Sequence, residues 1–275
     1  MGMPAVVIPV FNALPRLREC LSSVARYSAD AEILLIDDAS TDPGVRPLLE
    51  QWVQDAPQQR GLLVNDRNRG FVHSANRGMR HFKGDVVLLN SDTLVTPRWL
   101  ELLGRCLASD RRIASATPWS NNGEIVSFPD ICRAGPVPPE PAALAEVIRA
   151  CGPPQYPEIP TAVGFCMALS RTAIEAIGYF DAEAFGRGYG EENDFSLRAA
   201  AAGLKNVLCD DAYVAHHGGA SFGPLGLAPD SGSMQRLLDR HPGYRELIED
   251  YIRRDPLAQR RSGILDAIRV LESPG

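Results

Sequence analysis

The stretch Ile33–Asp42, ILLIDDASTD, decides the fold class. Ile33–Ile36 is a short apolar run without polar alternation, as expected for a strand that is covered on both faces. Asp37 and Asp38 follow it directly, and Ser40–Asp42 are residue types that favour a turn and a helix start. The pattern predicts a buried parallel strand whose carboxyl end carries acidic side chains.

The same pattern recurs on both sides of this stretch. Further strands are predicted at Ala5–Pro9, Leu62–Val64 and Val86–Leu89, and helices near Leu14–Val24, Val45–Val53 and Phe71–His81. Alternating strands and helices build a parallel sheet with helices on both faces, joined by right-handed crossovers. The predicted fold class is therefore α/β.

Composition and charge limit the classes of partner. The chain has 275 residues, of which 45% are hydrophobic, and a formal net charge of -6, which argues against a nucleic-acid surface. No apolar run is long enough to cross a bilayer, and the start of the chain lacks a basic leader. We therefore expect a cytoplasmic protein with no transmembrane segment and no nucleic-acid partner, and peripheral membrane contact stays open.

Polar side chains follow each of the four predicted strands. They are Asn12, Asp37 with Asp38, Asn65–Arg69, and Asn90–Asp92. Ligands of open α/β sheets bind outside the carboxyl ends of the strands, so one edge of the sheet collects all four clusters. This placement predicts a ligand site there.

Two of these clusters suggest specific chemistry. Asp92 follows the strand after Asn90 and Ser91, where a carboxylate can hold a divalent cation that bridges two diphosphate oxygens. Asp37 and Asp38 can accept hydrogen bonds from a base and a ribose. A turn residue or helix cap is the alternative in both places; we expect Asp42 to cap a helix while Asp38 faces the ligand.

The second half of the sequence is less regular. Residues 119–160 are rich in proline and glycine and predict a long loop region around one helix, Ala142–Ala150. Later elements are predicted as strands at Ala162–Leu169 and Val207–Leu208, helices at Thr172–Ile177 and Glu191–Ala202, and an amphipathic tail from Met234.

Two polar clusters in this half are candidates for catalysis. Glu191, Glu192 and Asp194 come together at a predicted helix start; the helix dipole favours acids there, but clustered carboxylates also raise one another's pKa, which suits a general base. His216 and His217 open a Gly-Gly loop, where a metal or phosphate contact and a structural role are both open.

Taken in order, these segments resemble the family 2 glycosyltransferases of the GT-A fold, and most closely a bacterial rhamnosyltransferase-like, O-antigen type branch. The fold implied is a Rossmann-like, mostly parallel central sheet flanked by helices. The matching segments are VVIPVFN (Val6–Asn12), LLIDDASTD (Leu34–Asp42), Asn68 and Gly70 with Asn76 and Gly78, LLNSDTLVTPRWL (Leu88–Leu100), GFCMALSR (Gly164–Arg171), GEENDFSLRA (Gly190–Ala199) and HHGGASF (His216–Phe222).

The resemblance implies a role for each matching position. Asp92 and His216 would hold the metal, and Glu192, with Glu191 as its competitor, would be the catalytic base. Gly164, Phe165 and Asp194 would lie on the acceptor side. The positions implied to bind the nucleotide sugar are Pro9, Val10, Asn12, Asp37, Asp38, Asn68, Gly70, Asn76, Asn90, Ser91 and Asp92.

The implied reaction is an inverting transfer of a hexosyl or deoxyhexosyl group from a nucleotide-diphosphate sugar to a hydroxyl group, with Mn²⁺ or Mg²⁺ as cofactor. The acceptor would be a glycan, a lipid-linked glycan or a protein, in the synthesis of cell-surface polysaccharide or glycoconjugate. The resemblance further implies a GT-A domain over residues 1–232, with a nucleotide-binding half (1–117) and an acceptor-binding half (118–232). Residues 233–275 would be a helical appendage or a linker.

Two other functions are considered. A sugar-1-phosphate nucleotidyltransferase also uses an α/β sheet and acidic metal ligands, but it usually has a basic, glycine-rich loop after its first strand, where this chain has PVFNALPR (Pro9–Arg16). A non-catalytic nucleotide-sugar-binding module of a larger synthase is the second alternative, and the intact candidates for base and metal ligand argue against it.

Overall fold

Strand and helix alternate through the first half of the chain, as predicted. The computed structural model describes residues 2–186, 188–218 and 231–272. The elements of this half are β1 (Ala5–Val10), α1 (Leu14–Tyr27), β2 (Ile33–Asp37), α2 (Val45–Gln54), β3 (Arg60–Val64), α3 (Phe71–His81), β4 (Val86–Leu89), β5 (Thr93–Val95), α4 (Trp99–Ser109) and β6 (Ile113–Trp119). The predicted α/β class is confirmed, and β5, α4 and β6 are elements that the sequence patterns did not indicate.

The second half adds fewer strands and more helices. Its elements are a 3₁₀ turn (Glu124–Val126), α5 (Pro141–Ala150), β7 (Cys166–Leu169), α6 (Arg171–Ile177), α7 (Ala182–Phe185), α8 (Glu191–Ala201), β8 (Lys205–His216), α9 (Ser231–Arg240), α10 (Tyr244–Arg254) and α11 (Ala258–Glu272). Strand β8 is much longer than the predicted Val207–Leu208.

Strand β7 is shorter than the predicted Ala162–Leu169. Side chains take the hydrogen bonds that a strand neighbour would otherwise make: the backbone N–H of Ala162 donates to Ser196 Oγ at 3.0 Å, and that of Val163 donates to Thr117 Oγ1 at 3.2 Å. The segment before Cys166 therefore leaves the sheet and passes close to α8.

The described residues form one eight-stranded sheet, in the order β3-β2-β1-β4-β7-β6-β8-β5. Strands β1 to β4 pair in parallel, and β7 runs antiparallel between β4 and β6. The chain leaves β1 towards β2 and β3 and returns to place β4 on the other side of β1. Because a ligand crevice forms where the strand order reverses, the carboxyl ends of β1 and β4 define the expected binding edge.

Two apolar cores cover the two faces of the sheet. Alternate residues of β1 show the division, since Val6 and Ile8 belong to one core and Val7 to the other, and all three are fully buried. Helix α3 approaches β1 closely at Gly78, where a Cβ atom would overlap the side chain of Val7. This close contact holds the second half of α3 against the middle of β1.

Residues 233–272 are mostly helical and pack on the body of the protein. Leu237 of α9 is fully buried in one core, and Ile264 of α11 is fully buried in the other. Arg261 is also buried, and its guanidinium donates to the backbone oxygens of Ser127 and Ile125 at 3.1 and 3.3 Å. These contacts hold the tail against the body, unlike a free linker. Among the described helices, none is long and apolar enough to cross a membrane.

Candidate active site

The loop after β1 is fastened to the loop after β2 by Asn12. Its Oδ1 accepts the backbone N–H groups of Thr41 and Asp42 at 2.8 and 2.9 Å, and its own N–H donates to Ser40 Oγ at 3.0 Å. Asn12 has a φ of 57°, a left-handed conformation that asparagine tolerates better than most residues. Its side chain therefore shapes the rim of the site.

Pro9 and Val10 lie within β1 and are buried. The carbonyl of Val10 accepts the backbone N–H of Asp38 at 2.8 Å. The next residue, Phe11, is 44% exposed at the end of the strand. An exposed phenylalanine at the ligand edge is a candidate contact for a flat base, and the sequence analysis did not single it out.

Asp38 is the acceptor that organises the loop after β3. Its carboxylate accepts hydrogen bonds from Asn65 Nδ2 at 2.6 Å and from the backbone N–H groups of Arg69 and Gly70 at 2.9 and 2.8 Å. Gly70 has a φ of 87°, which favours glycine, and it directly precedes α3. Asn68 is exposed on the same loop.

Two predicted donor contacts have structural partners instead. Asp37 is 1% exposed and is paired with Arg46 at 3.1 Å, while its other oxygen accepts the N–H of Ser40. Asn76 is 2% exposed, and both ends of its amide bond the backbone of Phe180, at 2.8 and 3.1 Å. The structure gives these two side chains roles in folding in place of the expected ligand contacts.

Asp92 and His216 form the centre of the site. Asp92 follows β4 and His216 ends β8, and Oδ1 of Asp92 lies 3.3 Å from Nε2 of His216. The Nδ1 of His216 lies 2.8 Å from the backbone oxygen of Asn122 and, since only an N–H can bond that oxygen, it carries a proton. The ring of Phe165 stacks on His216 with centroids 5.3 Å apart. The imidazole is thus held with Nε2 towards the carboxylate.

The two groups change each other's affinity for protons. Burial alone would raise the pKa of Asp92, but the hydrogen bond and charge of His216, with the charge of His217, lower it below its ordinary value. Burial would lower the pKa of His216, and Asp92 raises it above the ordinary value. Because Nδ1 of His216 carries a proton, Nε2 can face the carboxylate of Asp92 only when a proton or a metal cation lies between them.

The pair fits a divalent cation as well as a proton. Ligands at about 2.0–2.2 Å from one ion lie roughly 3 Å apart when they are neighbours in its coordination shell, which matches the observed separation. Among the described residues no group of three or more His, Cys, Asp or Glu side chains could hold a metal. Such a two-ligand site leaves positions for diphosphate oxygens and water, as is common for Mg²⁺.

Asn90 and Ser91 connect this centre to the acceptor side. Both are partly exposed, and the backbone N–H of Asn90 donates to the oxygen of Phe165 at 2.9 Å. The neighbouring Gly164 borders Glu192, since a Cβ on this glycine would lie 3.8 Å from Glu192 Cδ. A continuous set of contacts therefore runs from Asp92 to Glu192.

Glu191 and Glu192 begin α8 as a coupled pair of carboxyl groups. Burial raises the pKa of both, and that of Glu191 is raised further by the charge of Glu192. Two neighbouring carboxyl groups in a partly desolvated site repel each other when both are ionised, so the pair takes up a proton more readily than a free glutamate does. Of the two, Glu192 is the one that borders Gly164 beside the Asp92–His216 centre.

A third carboxylate, Glu124, was missed by the sequence analysis. It begins the 3₁₀ turn with a φ of 49° and is exposed to solvent. Protein surrounding its side chain and the charge of Glu192 raise the pKa of Glu124 to about 7, while His216 lowers it. Glu124 thus belongs to the same site, although it comes from a loop with no recognisable motif.

Asp194 points away from this group. It is fully buried and pairs with Arg198 at 2.8 Å, Arg240 at 3.1 Å and His241 at 3.0 Å. Burial would raise its pKa, but hydrogen bonds from His241, Arg198 and Arg240 lower it. Asp194 therefore joins α8 to the end of α9 in place of the expected contact with the acceptor.

We expect Asp194→Asn to lower the free energy of unfolding by about 2–3 kcal/mol, because two arginines lose a buried carboxylate. The folded-state pKa lies below the unfolded value of about 3.9, so the stabilisation is complete above that value and is lost as the pH falls through the folded-state pKa. Urea unfolding between pH 3 and 8 measures both effects. The matched control is Asp239→Asn, an exposed site on α9; equal stabilities for the two variants would contradict the role given to Asp194.

Part of the predicted site lies outside the described residues. This applies to Gly219–Phe222 of the HHGGASF segment. His217 is described, and its Nε2 lies 2.8 Å from Glu19, while its backbone N–H donates to the oxygen of Asp92 at 3.0 Å. The second histidine therefore supports the loop of Asp92 and pairs with α1.

The sequence model of glycosyl transferase family 2 matches residues 5–178, which include β1 to β4, Asp92 and Gly164. The chain belongs to this family. Its membership argues against the nucleotidyltransferase alternative, and the more specific rhamnosyltransferase-like branch stays a prediction.

Curated relatives match only part of the chain. An undecaprenyl-phosphate 4-deoxy-4-formamido-L-arabinose transferase of Klebsiella pneumoniae is 34% identical over 97 residues, which are 34% of this chain and 29% of that protein. A chondroitin synthase of Escherichia coli is 27% identical over 124 residues, which are 44% of this chain and 17% of the synthase. The chain thus spans less than a third of the length of each.

Solved structures match the fold over nearly the whole chain. GalNAc-T7 with UDP, GalNAc and Mn²⁺ superposes with a TM-score of 0.66 at 18% identity, covering 91% of this chain and 50% of that one. A Pyrobaculum calidifontis mannosyltransferase with GDP-Man and Mn²⁺ gives 0.61 at 16% identity, covering 99% and 76%. These likenesses confirm the GT-A fold.

Proposed function

We propose that this chain transfers a sugar from a nucleotide-diphosphate donor to an acceptor hydroxyl group, with inversion at the anomeric carbon. The observation that carries the proposal is the set of contacts from Asp92 through His216, Phe165 and Gly164 to Glu192. It joins a group suited to binding a diphosphate through a cation to a group suited to removing a proton.

Asp92 and His216 would hold a Mn²⁺ or Mg²⁺ ion. Such an ion supplies positive charge that stabilises the leaving diphosphate. The protein keeps Asp92 ionised through the lowered pKa of this carboxyl, and it fixes His216 through Asn122 and the ring of Phe165. The complexes of the two structural neighbours with Mn²⁺ support this assignment without identifying the metal for this chain.

Glu192 would accept the proton of the attacking hydroxyl. A carboxylate with a raised pKa is a stronger base than a free glutamate, and Glu192 borders Gly164 next to the Asp92–His216 centre. A single displacement needs only one base, and it inverts the configuration because the acceptor attacks opposite the leaving group.

The nucleoside would lie at the carboxyl ends of β1 and β2. Asn12 and Asp38 shape the loops there, and the exposed ring of Phe11 offers an apolar face to the base. Asn68 is the exposed polar residue on the third loop. Asn90 and Ser91, beside Asp92, would contact the diphosphate or the donor sugar.

The broader role follows from what the relatives are named for. One is named as an undecaprenyl-phosphate 4-deoxy-4-formamido-L-arabinose transferase and the other as a chondroitin synthase. A role in polysaccharide or glycoconjugate synthesis, of the rhamnosyltransferase-like type or another, is therefore proposed for this chain.

A thermal-shift panel of UDP, GDP and dTDP, with and without Mn²⁺ or Mg²⁺, tests the donor half of the proposal. Ligand binding stabilises the folded state by about 2.7 kcal/mol at 100 times Kd, so at least one diphosphate should raise Tm, and the rise should need the metal. ADP is included to show which nucleobase the site prefers. No stabilisation by any nucleotide would contradict the proposal.

Hydrolysis of the nucleotide sugar separates an enzyme from a non-catalytic binding module. We expect slow, metal-dependent release of the nucleoside diphosphate from the donor that binds, and faster release with an acceptor. Binding of the nucleotide sugar without release of the nucleoside diphosphate, with or without an acceptor, would favour the non-catalytic binding module.

A further inference from the structure

We infer that the acceptor is a neutral carbohydrate, whose ring packs on Tyr189 and whose hydroxyl groups bind Glu124 and the Glu191–Glu192 pair. This inference rests on the proposed function and adds the chemical class of acceptor. It distinguishes this chain from enzymes whose acceptor is a polyprenyl phosphate.

Tyr189 provides an exposed aromatic surface beside the catalytic carboxyls. Tyr189 is 53% exposed, compared with 44% for Phe11. Its φ is 73°. Tyr189 lies two positions before Glu191, which begins α8, and burial together with the charges of Glu191 and Glu192 raises the pKa of its phenol. An exposed aromatic face binds the C–H face of a pyranose ring by burying apolar area.

Gly188, next to Tyr189, lies close to the start of α3 and to Glu191. A Cβ on Gly188 would lie 3.7 Å from Cβ of Phe71 and 3.8 Å from Oε1 of Glu191. Phe71 begins α3, directly after the loop that Asp38 organises. Tyr189 thus lies next to the loop proposed to bind the nucleotide sugar and next to the pair that contains the proposed catalytic base.

Glu124 provides a carboxylate on a backbone that is held in place. Its backbone oxygen accepts the N–H groups of Ser127 at 3.0 Å and Cys132 at 2.8 Å, and the buried Arg261 binds the next turn at Ile125. The backbone is therefore held, while the residue as a whole keeps surface that is open to solvent. A carboxylate held in this way is suited to accept hydrogen bonds from sugar hydroxyl groups.

Unpaired oxygens in the carboxyl pair point to the same kind of ligand. Glu191 is 4% exposed, and its Oε2 is buried without a hydrogen-bond partner, as is Oε2 of Glu192. A buried unpaired acceptor is costly, and an acceptor hydroxyl group would satisfy it by donating.

Among the described residues around Glu192, the charged groups disfavour an anionic acceptor. A phosphate brought to the carboxylate of Glu192 would also approach the carboxyl group of Glu124. Like charges a few ångströms apart at a partly desolvated site repel strongly, whereas neutral hydroxyl groups do not. The carboxylates that accept hydrogen bonds from a polyol therefore repel a phosphate monoester.

The test compares neutral methyl glycosides with farnesyl phosphate as acceptors at pH 8. It uses the full chain, Mn²⁺ and the nucleotide sugar that binds best, and it detects products by mass spectrometry. We expect transfer to at least one glycoside and none to farnesyl phosphate. Tyr189→Ala should raise the KM for the glycoside about tenfold, whereas Tyr189→Phe, which keeps the ring, should resemble the wild type.

Glu124→Gln should raise the same KM about threefold to tenfold with a smaller change in kcat, and Glu140→Gln, at an exposed site before α5, serves as its control. Transfer to farnesyl phosphate, no transfer to any glycoside, or a glycoside KM that Tyr189→Ala leaves unchanged would overturn the inference. Donor binding measured in the same preparations separates these results from failure of the proposed function, which would abolish binding of the nucleotide as well.

Discussion

Replacing Glu192 by Gln lowers the rate of sugar transfer by about 10²–10⁴-fold, the usual contribution of general-base assistance. Gln has the same size but cannot accept the acceptor's proton. Binding of the nucleoside diphosphate with Mn²⁺ should be unchanged, because the Asp92–His216 pair is intact in this variant. Steady-state kinetics for transfer and calorimetry for nucleotide binding measure the two effects separately.

Glu191→Gln shows which member of the pair acts as the base. Because Glu192, and not Glu191, borders Gly164 beside the Asp92–His216 centre, replacing Glu191 by an amide should cost much less activity. Glu140→Gln should keep the wild-type rate. Full activity of Glu192→Gln, or a larger loss in Glu191→Gln, would remove Glu192 from its proposed role.

Replacing Asp92 by Asn abolishes the response of the enzyme to added Mn²⁺. The amide has no charge to hold the cation, so stabilisation of the leaving diphosphate is lost, and kcat/KM should fall by about 10²–10³-fold. A titration of activity and of nucleotide affinity with MnCl₂ measures this. The wild type should show tighter nucleotide binding as the metal is added, and the variant should not.

Asp110→Asn is the matched control, since this exposed carboxylate pairs only with Arg112 among its described contacts and begins the turn before β6. It should keep the full response to the metal. Circular dichroism and urea unfolding check that both variants are folded. An unchanged metal response in Asp92→Asn would exclude this residue from the metal site.

The first four strands along the chain could be predicted because the sequence of each strand itself marks it as buried. Continuous apolar runs such as Ile33–Ile36 and Val86–Leu89 are covered on both faces, and the turn residues that follow them mark where each strand ends. The position of Asp92 after β4 follows from the same regularity. Strand β5 is only Thr93–Val95 and depends on pairing with β8, so nothing in its own sequence indicated it.

Residue roles that depend on distant partners could not be predicted. Asn76 resembles a polar position on a donor loop, but its amide bonds Phe180, 104 positions away. Asp194 lies in an acidic motif, but its partners Arg240 and His241 come from the tail. In each case the side chain is buried by a segment whose position only the fold defines.

The site residues that the sequence analysis missed lie in loops, outside regular helices and strands. Glu124 and Tyr189 have positive φ values and lie in loops rich in glycine, where no periodicity indicates which way a side chain points. The tail was expected as a helical appendage or a linker because its sequence is amphipathic and charged. Its buried contacts, such as that of Arg261 with the loop after Glu124, depend on charge and packing that a sequence pattern does not show.

A crystal structure of the chain with Mn²⁺ and the nucleoside diphosphate that stabilises it best tests the central claim most directly. Anomalous scattering should place one ion about 2.0–2.3 Å from a carboxylate oxygen of Asp92 and from Nε2 of His216, with diphosphate oxygens completing its shell. The base should lie at the carboxyl ends of β1 and β2. An ion bound elsewhere, or a diphosphate bound while Asp92 and His216 remain paired to each other, would contradict the account.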